Sequence, residues 1–503
     1  MTSVDAAVQR AMGEGVSRAA INAAFGCAVA AFVVAPTCEE LARTWRDDSA
    51  FQWCWLVVPA VLYGLSLRFR AKGASPPRSD LLGLWATVPA AVLWWLCDVM
   101  NIAVGQQLAL VIALHGIARS TLGRRLYRDS FATLALLFLM VPSADVLQPV
   151  LRDVTLKGID FFAVVAGLPH RVDGYEIAIG AQHYIVIDEC SGLASVTLSM
   201  FLGFFFGTLL YRSIWKVLSL AAFAALVGVA SNLARVVAIV WIDWSRESQM
   251  DLTAHADIQW LSVVAVLGLL LFALGRLRGD AAVPPSASVA QTRVRRRDRF
   301  APLLAGLSIP LTVWTLTATG QALGAVSTHP DRTASQAMQP LPATLAGATS
   351  TDGSPHWTID AAHATAASVT TYRRGDLQIQ ASVVETLSPD VKLARWQLPA
   401  SPSGHWHDML TRPATVCDAA GCVTFSRSIL QGAQLDERRS MAAAYCDAGL
   451  MTDSVLRLRA AHAWNRLRGL GDPQRSVVLV VDGGGLGDGE VAGALRVLCR
   501  MGR

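Results

Sequence analysis

A chain of 503 residues that is 53% hydrophobic and only 16% charged, with a mean hydropathy of +0.40, is too apolar for an ordinary soluble protein. Its formal charge of +5 sits in short basic clusters between apolar runs, the pattern that sets membrane topology, which favours a lipid bilayer over nucleic acid as partner. The nine cysteines show neither CxxC nor Cys/His metal spacing, so most are expected as small buried hydrophobes, and no metal or cofactor is expected.

A helix needs roughly 20 apolar residues to cross the hydrocarbon core. Nine stretches qualify as candidate spans: 19–36, 53–67, 81–97, 102–118, 130–147, 192–211, 214–242, 258–275 and 302–319. The first is kept as a span because Ala35-Pro-Thr-Cys38, which follows it, offers neither a small-x-small cleavage site nor a good lipobox. With the N-terminus inside, the cytoplasmic segments carry 19 Lys and Arg residues against six outside, so the positive-inside rule chooses this orientation.

Between the fifth and sixth spans lies an outside segment of about 45 residues. Residues 154–168 are apolar but short and carry Lys157 and Asp160, which suits an interfacial or re-entrant helix. After the Pro169-His170 turn, Tyr175 to Gly180 and Gln182 to Ile187 alternate and are β-branched, so a small β-hairpin is predicted. It delivers Asp188-Glu-Cys-Ser-Gly192 to the start of the sixth span, outside the membrane.

The seventh span contains Ser231-Asn-Leu-Ala-Arg235 in an otherwise apolar helix. Asn232 and Arg235 share a face by their i, i+3 spacing. Arg235 lies eight residues before Asp243, about 12 Å of helix from the outer end. An arginine at that depth costs on the order of 2 to 3 kcal/mol on insertion scales, so it should face a polar cavity. The eighth span is preceded by His255, again outside.

The sequence divides into a membrane catalytic domain over 1–278, a basic cytoplasmic linker over 279–300, a ninth span over 301–320, a flexible tether over 321–355 and an extracytoplasmic mixed α/β domain over 356–503. The last contains alternating strands such as Leu377 to Val384, a helix near 453–468 and a strand from Ser476 to Asp482. The glycine cluster Gly483 to Gly489 reads as a turn, since no second βαβ half follows it. Cys417 and Cys422 are a candidate disulfide in an oxidising compartment, with Cys446 and Cys499 a second pair. The fold class is therefore mainly α: a polytopic bundle of about eight core spans plus a ninth, a small outer β-hairpin and a C-terminal α/β domain.

Cys190, Arg235 and His255 precede or occupy the outer ends of consecutive spans, so all three fall on one side of the membrane. A thiolate nucleophile needs a partner that takes its proton, which suits His255. A developing oxyanion needs positive charge or donors, which Arg235 and Asn232 can supply. Asp188, Glu189 and Ser191 stand beside the thiol as supporting residues.

Glu189-Cys-Ser-Gly192, Asn232-Leu-Ala-Arg235 and His255 together resemble the Cys, Asn-x-x-Arg and His signature of the exosortase/archaeosortase family of polytopic membrane transpeptidases, over about 280 residues. The resemblance implies catalysis by Cys190, Arg235 and His255. It also implies exported protein substrates with a C-terminal motif, a hydrophobic span and a basic tail, cleaved through a thioacyl-enzyme and passed to an acceptor that the sequence does not name. The implied site is the bacterial inner membrane.

Competing readings are specific. Cys190 is a packing residue, or Arg235 makes a structural ion pair with Asp243 or Glu247, or His183 in the hairpin replaces His255 as base. At the level of function, the rivals are a protease at the membrane boundary that does not transfer its product, and a non-enzymatic transporter or assembly scaffold in which Arg235 and His255 line a polar path.

Overall fold

The computed structural model describes residues 24, 28, 34–70, 81–100, 102–180, 182–186, 188–211, 213–246, 268, 301–322, 340–351, 366–386, 407–418, 421–431, 438–447, 450–467, 474–482 and 485–500. Two compact units result, one comprising Met1–Trp95 with Val104–Thr315 and the other Leu96–Ala103 with Leu316–Arg503.

In chain order the first unit contains α1 (Ala35–Asp47), α2 (Val57–Arg70), α3 (Leu84–Val99), α4 (Ala103–Ala135), α5 (Gln148–Val165), strands β1 (His170–Asp173), β2 (Glu176–Ile179) and β3 (Gln182–Ile185), then α6 (Leu193–Leu210), α7 (Ile214–Arg246) and α8 (Ala301–Ala322). Among the described residues, four helical segments are long and apolar enough to cross a membrane: Leu81–Val99, Leu193–Leu210, Ile214–Ser245 and Ala301–Thr319. They correspond to the third, sixth, seventh and ninth expected spans, and the chain is a multi-pass membrane protein. The expected first and eighth spans fall almost wholly outside the described residues. The second is split between a 3₁₀ turn, Gln52–Leu56, and α2. The fourth and the start of the fifth lie within α4, whose two helical segments are separated at Gly123, where φ 74° and ψ 169° leave the helical region inside the arginine-rich stretch 119–128. Large apolar side chains such as Leu62, Trp85, Trp215, Leu226 and Trp314 are exposed, a surface suited to acyl chains rather than water.

The bundle core gathers Leu41, Phe51, Trp53, Val57, Leu136, Phe201, Phe204 and Val217. Helices α6 and α7 form an antiparallel hairpin whose backbones approach closely: a Cβ added at Gly228 would meet the Ser195 carbonyl oxygen at 2.8 Å and the Val196 Cα at 2.9 Å. Helix α8 seats Ala305 and Ile309 against Ala90, Ala91, Ala113 and Ile117, and the Ser308 and Thr87 hydroxyls share a 2.8 Å hydrogen bond.

The predicted hairpin has a third strand. β1 pairs antiparallel with β2, and β2 with β3, so His170, expected in a turn with Pro169, instead opens a strand. The α5 helix forms where a short apolar helix was expected, beginning at Gln148 with Pro149 in its first turn. It buries Arg152, Thr155, Ile159 and Ala163 and exposes Val150, Val154, Phe161, Val164 and Val165.

The second unit is predominantly β, with strands β4 (Thr344–Leu345), β5 (Ala348–Thr351), β6 (Ala366–Arg374), β7 (Leu377–Thr386), β8 (His407–Asp418), β9 (Gly421–Gln431), β10 (Arg438–Asp447), β11 (Leu450–Thr452) and β12 (Gln474–Asp482), and helices α9 (Val455–Leu467) and α10 (Asp488–Arg500). A single antiparallel sheet has the order β4-β5-β6-β7-β12-β10-β9-β8, with β11 paired to β10. Alternation puts Tyr372, Ile379, Ala381, Val477, Leu479, Val481, Ala442 and Phe425 on the face covered by Val491, Leu495 and Leu498 of α10. The glycine cluster leads from β12 into α10, and Arg427 donates to the Leu486 carbonyl and pairs with Asp488. Disulfides join Cys417 to Cys422 across the β8–β9 turn and Cys446 of β10 to Cys499 of α10.

Candidate active site

Cys190 lies in a 3₁₀ turn, Asp188–Ser191, between β3 and α6. Its half-buried side chain packs against a cluster of Ile159 and Ala163 from α5, Ile177 and Ile179 from β2, Val186, and Val236 and Val240 from α7. It carries a thiol, in contrast to the four disulfide-bonded cysteines of the second unit. The Ser191 hydroxyl accepts a bond from the Leu193 amide at the start of α6. The backbone of Asp188 and Glu189 forms the first half of the turn, and their side chains lie outside the described part of the structure.

Gly192 closes the turn with φ 81°, a left-handed conformation that costs a side-chain-bearing residue about 1 to 2 kcal/mol. A Cβ there would stand 2.3 Å from Asn232 Cγ. The Ser-Gly dipeptide thus lets Asn232 of α7 come up against the turn. Asn232 is 2% exposed, and its Nδ2 donates to the Cys190 carbonyl oxygen at 3.1 Å and to Thr155 Oγ1 at 3.4 Å. Its Oδ1 accepts from Arg235 Nη2 at 3.0 Å. Through that amide the guanidinium is tied to the backbone of the thiol-bearing residue. The i, i+3 face predicted for Asn232 and Arg235 therefore points at the thiol-bearing turn, with Asn232 the bridge between Cys190 and Arg235.

His255 lies outside the described residues. His183 is described, and its Nδ1 is 2.9 Å from Glu176 Oε1. The register pairs His183 with Ala178 and Glu176 with Ile185, so His183, Ala178, Glu176 and Ile185 share one face of the three-stranded sheet. Ile177, Ile179 and Tyr184 occupy the opposite face and belong, with Cys190, to one apolar cluster. Tyr184 has its phenol pushed up to about 12 by burial and by Asp243, and its hydroxyl is buried without a partner among the described residues.

Three neighbours of the turn carry no motif: Thr155, which holds Asn232; Arg152, whose Nε donates to the Val186 carbonyl at 2.5 Å; and Tyr175, whose ring centroid is 3.7 Å from the Arg152 guanidinium. Their one sequence signal is the i, i+3 spacing of two polar residues on a short apolar helix. Among the described residues no group of His, Cys, Asp and Glu side chains could hold a metal ion. Chemically the arrangement offers a thiol, a nearby fixed cation and an amide that registers one against the other.

The family model described as Transmembrane exosortase matches residues 45–273, a segment that takes in Cys190, Asn232, Arg235 and His255. No curated protein and no solved structure matches the chain.

Proposed function

Residues 45–273 of this chain belong to the transmembrane exosortase family, and on that premise we propose that Cys190 is the nucleophile of a membrane-embedded transpeptidase that cleaves C-terminal sorting signals from exported proteins. The substrates are proteins bearing a short motif, a hydrophobic span and a basic tail. The chain sits in the bacterial inner membrane with its N-terminus inside, following the distribution of Lys and Arg. The site and the C-terminal unit then face outward.

The Cys190 sulfur attacks the scissile carbonyl carbon and its proton passes to His255, the base that the sequence supplies. Negative charge develops on the carbonyl oxygen, and Arg235 neutralises it. Preorganised donors of this kind are each worth about 10²- to 10³-fold in rate. When the C–N bond breaks, the proton returns from the imidazole to the leaving amine, and the acyl group remains on sulfur as a thioester. The nucleophile of an acceptor then attacks the thioester and restores the thiol. Water in place of the acceptor would give a simple protease, and the product's new terminus distinguishes the two.

The observation that supports this reading best is the double engagement of Asn232, which bonds the Cys190 carbonyl and the Arg235 guanidinium at once. A packing cysteine has no need of a buried amide that sets a cation beside it. The test is to express Cys190→Ala, Arg235→Ala and His255→Ala beside wild type with a tailed reporter in the same membranes. Loss of the shortened product in all three is expected. Full processing by Cys190→Ala would eliminate the mechanism and favour the scaffold reading.

A further inference from the structure

Arg152 is 9% exposed, a desolvated cation on a helix whose other buried positions are Thr155, Ile159 and Ala163. Burying a guanidinium is costly unless its geometry is satisfied. Its Nε donates to the Val186 carbonyl at 2.5 Å, and the Tyr175 ring lies over its guanidinium carbon at 3.7 Å. The Val186 amide in turn donates to the Tyr175 carbonyl at 2.9 Å, and the Tyr175 hydroxyl donates to Asp153 at 2.8 Å. Both backbone groups of Val186 are therefore held, one by Arg152 and the other by the residue stacked on Arg152.

Val186 stands two residues before the turn Asp188–Ser191 that carries Cys190. At the far end of that turn the Cys190 carbonyl is held by Asn232, which also reaches Thr155, one turn along α5 from Arg152. One face of α5 thus sets both ends of the stretch 186–190. We propose that Arg152 is a positioning residue of the acyl-transfer site, fixing the entry to the nucleophile's turn while Asn232 fixes its exit. It does so through a planar donor and a stacked face, which lysine reproduces only in part.

The proposal rests on the acyl-transfer reading, and the experiment separates the two. Full-length Arg152→Met and Arg152→Lys are purified in detergent and assayed for kcat and KM on the tailed reporter, with iodoacetamide alkylation of Cys190 followed in parallel. A displacement of about 1 Å at a reacting group costs on the order of 10²-fold. Arg152→Met should therefore lower kcat by about that factor, with KM and the alkylation rate within about threefold of wild type and Arg152→Lys intermediate. A kcat within about threefold of wild type, a KM that rises as much as kcat falls, or alkylation that slows in step with kcat would each overturn the positioning role. If Arg152→Met does not fold, Tyr175→Leu, which removes the stacked face alone, is read by the same criteria with about a tenfold loss expected. Cys190→Ala run alongside tells the failures apart: full processing there sinks the acyl-transfer reading itself, whereas its loss beside a normal Arg152→Met sinks only the role of Arg152.

Discussion

Gly192→Ala tests the site's architecture with a single methyl group. The backbone at 192 has φ 81°, so any side chain costs about 1 to 2 kcal/mol before contacts are counted. The new Cβ would stand 2.3 Å from Asn232 Cγ, 2.4 Å from its Nδ2 and 2.7 Å from its Cβ. Asn232 is buried in a helix, so its amide must rotate and release the Cys190 carbonyl, the Arg235 guanidinium or both. Each lost hydrogen bond adds about 1 kcal/mol. The total is about 2 to 4 kcal/mol of stability, and the displaced turn should lower processing by on the order of 10²-fold or more. The assay compares reporter processing and thermal melting of the detergent-solubilised protein with those of a neighbouring control, Ala194→Gly. Wild-type melting together with wild-type processing in Gly192→Ala would refute the claim that Asn232 registers the turn.

Gly228→Val should disrupt the α6–α7 hairpin, because even a Cβ there meets the Ser195 carbonyl and Val196 Cα at 2.8 and 2.9 Å; a lowered melting temperature checks it, and an unchanged one contradicts the close approach. Tyr372 is fully buried, its hydroxyl donates to the Pro342 carbonyl, and burial pushes its phenol up to about 12. The folded state thus holds this proton more tightly than the unfolded chain, whose tyrosines titrate near 10. Its contribution to stability is whole below about pH 10 and is lost as pH rises toward 12; alkaline unfolding of the full-length protein should be less steep in Tyr372→Phe, and identical slopes would count against it. Cys446→Ser opens a disulfide with a sequence separation of 53, worth about 4 kcal/mol by loop closure; the second unit should become markedly more protease-sensitive, and an unchanged digestion rate would argue against the bond.

Much of the site was legible because its chemistry is written in contiguous motifs. Cys190 beside Ser191-Gly192, and Asn232 three residues from Arg235, declare themselves by residue type and helical period, and the structure brings these two groups together. Arg152 was legible only as one of six outside charges, since its partner is a backbone carbonyl 34 residues away, which no local pattern records. Thr155 is hidden for the same reason. The strand His170–Asp173 was not legible, since only the Pro169-His170 turn signal stands there and pairing with β2 decides its state. In the second unit the strands at 377–386 and 474–482 and the helix at 455–467 were visible from alternation and composition. Their arrangement was not: β12 lies between β7 and β10, an order set by long-range pairing of apolar faces. The break between the fourth and fifth expected spans was legible from the arginine-rich stretch, and Gly123 supplies it with φ 74° and ψ 169°, values no helix adopts.

The central claim is that the Cys190 sulfur forms a thioester with the substrate's acyl group. Peptide mapping by mass spectrometry of the wild-type protein, quenched in acid during turnover of the tailed reporter, measures this directly. The account predicts a reporter-derived adduct on the peptide containing Cys190, released by hydroxylamine. An adduct on another residue, or complete turnover with Cys190 unmodified at every time point, would contradict it.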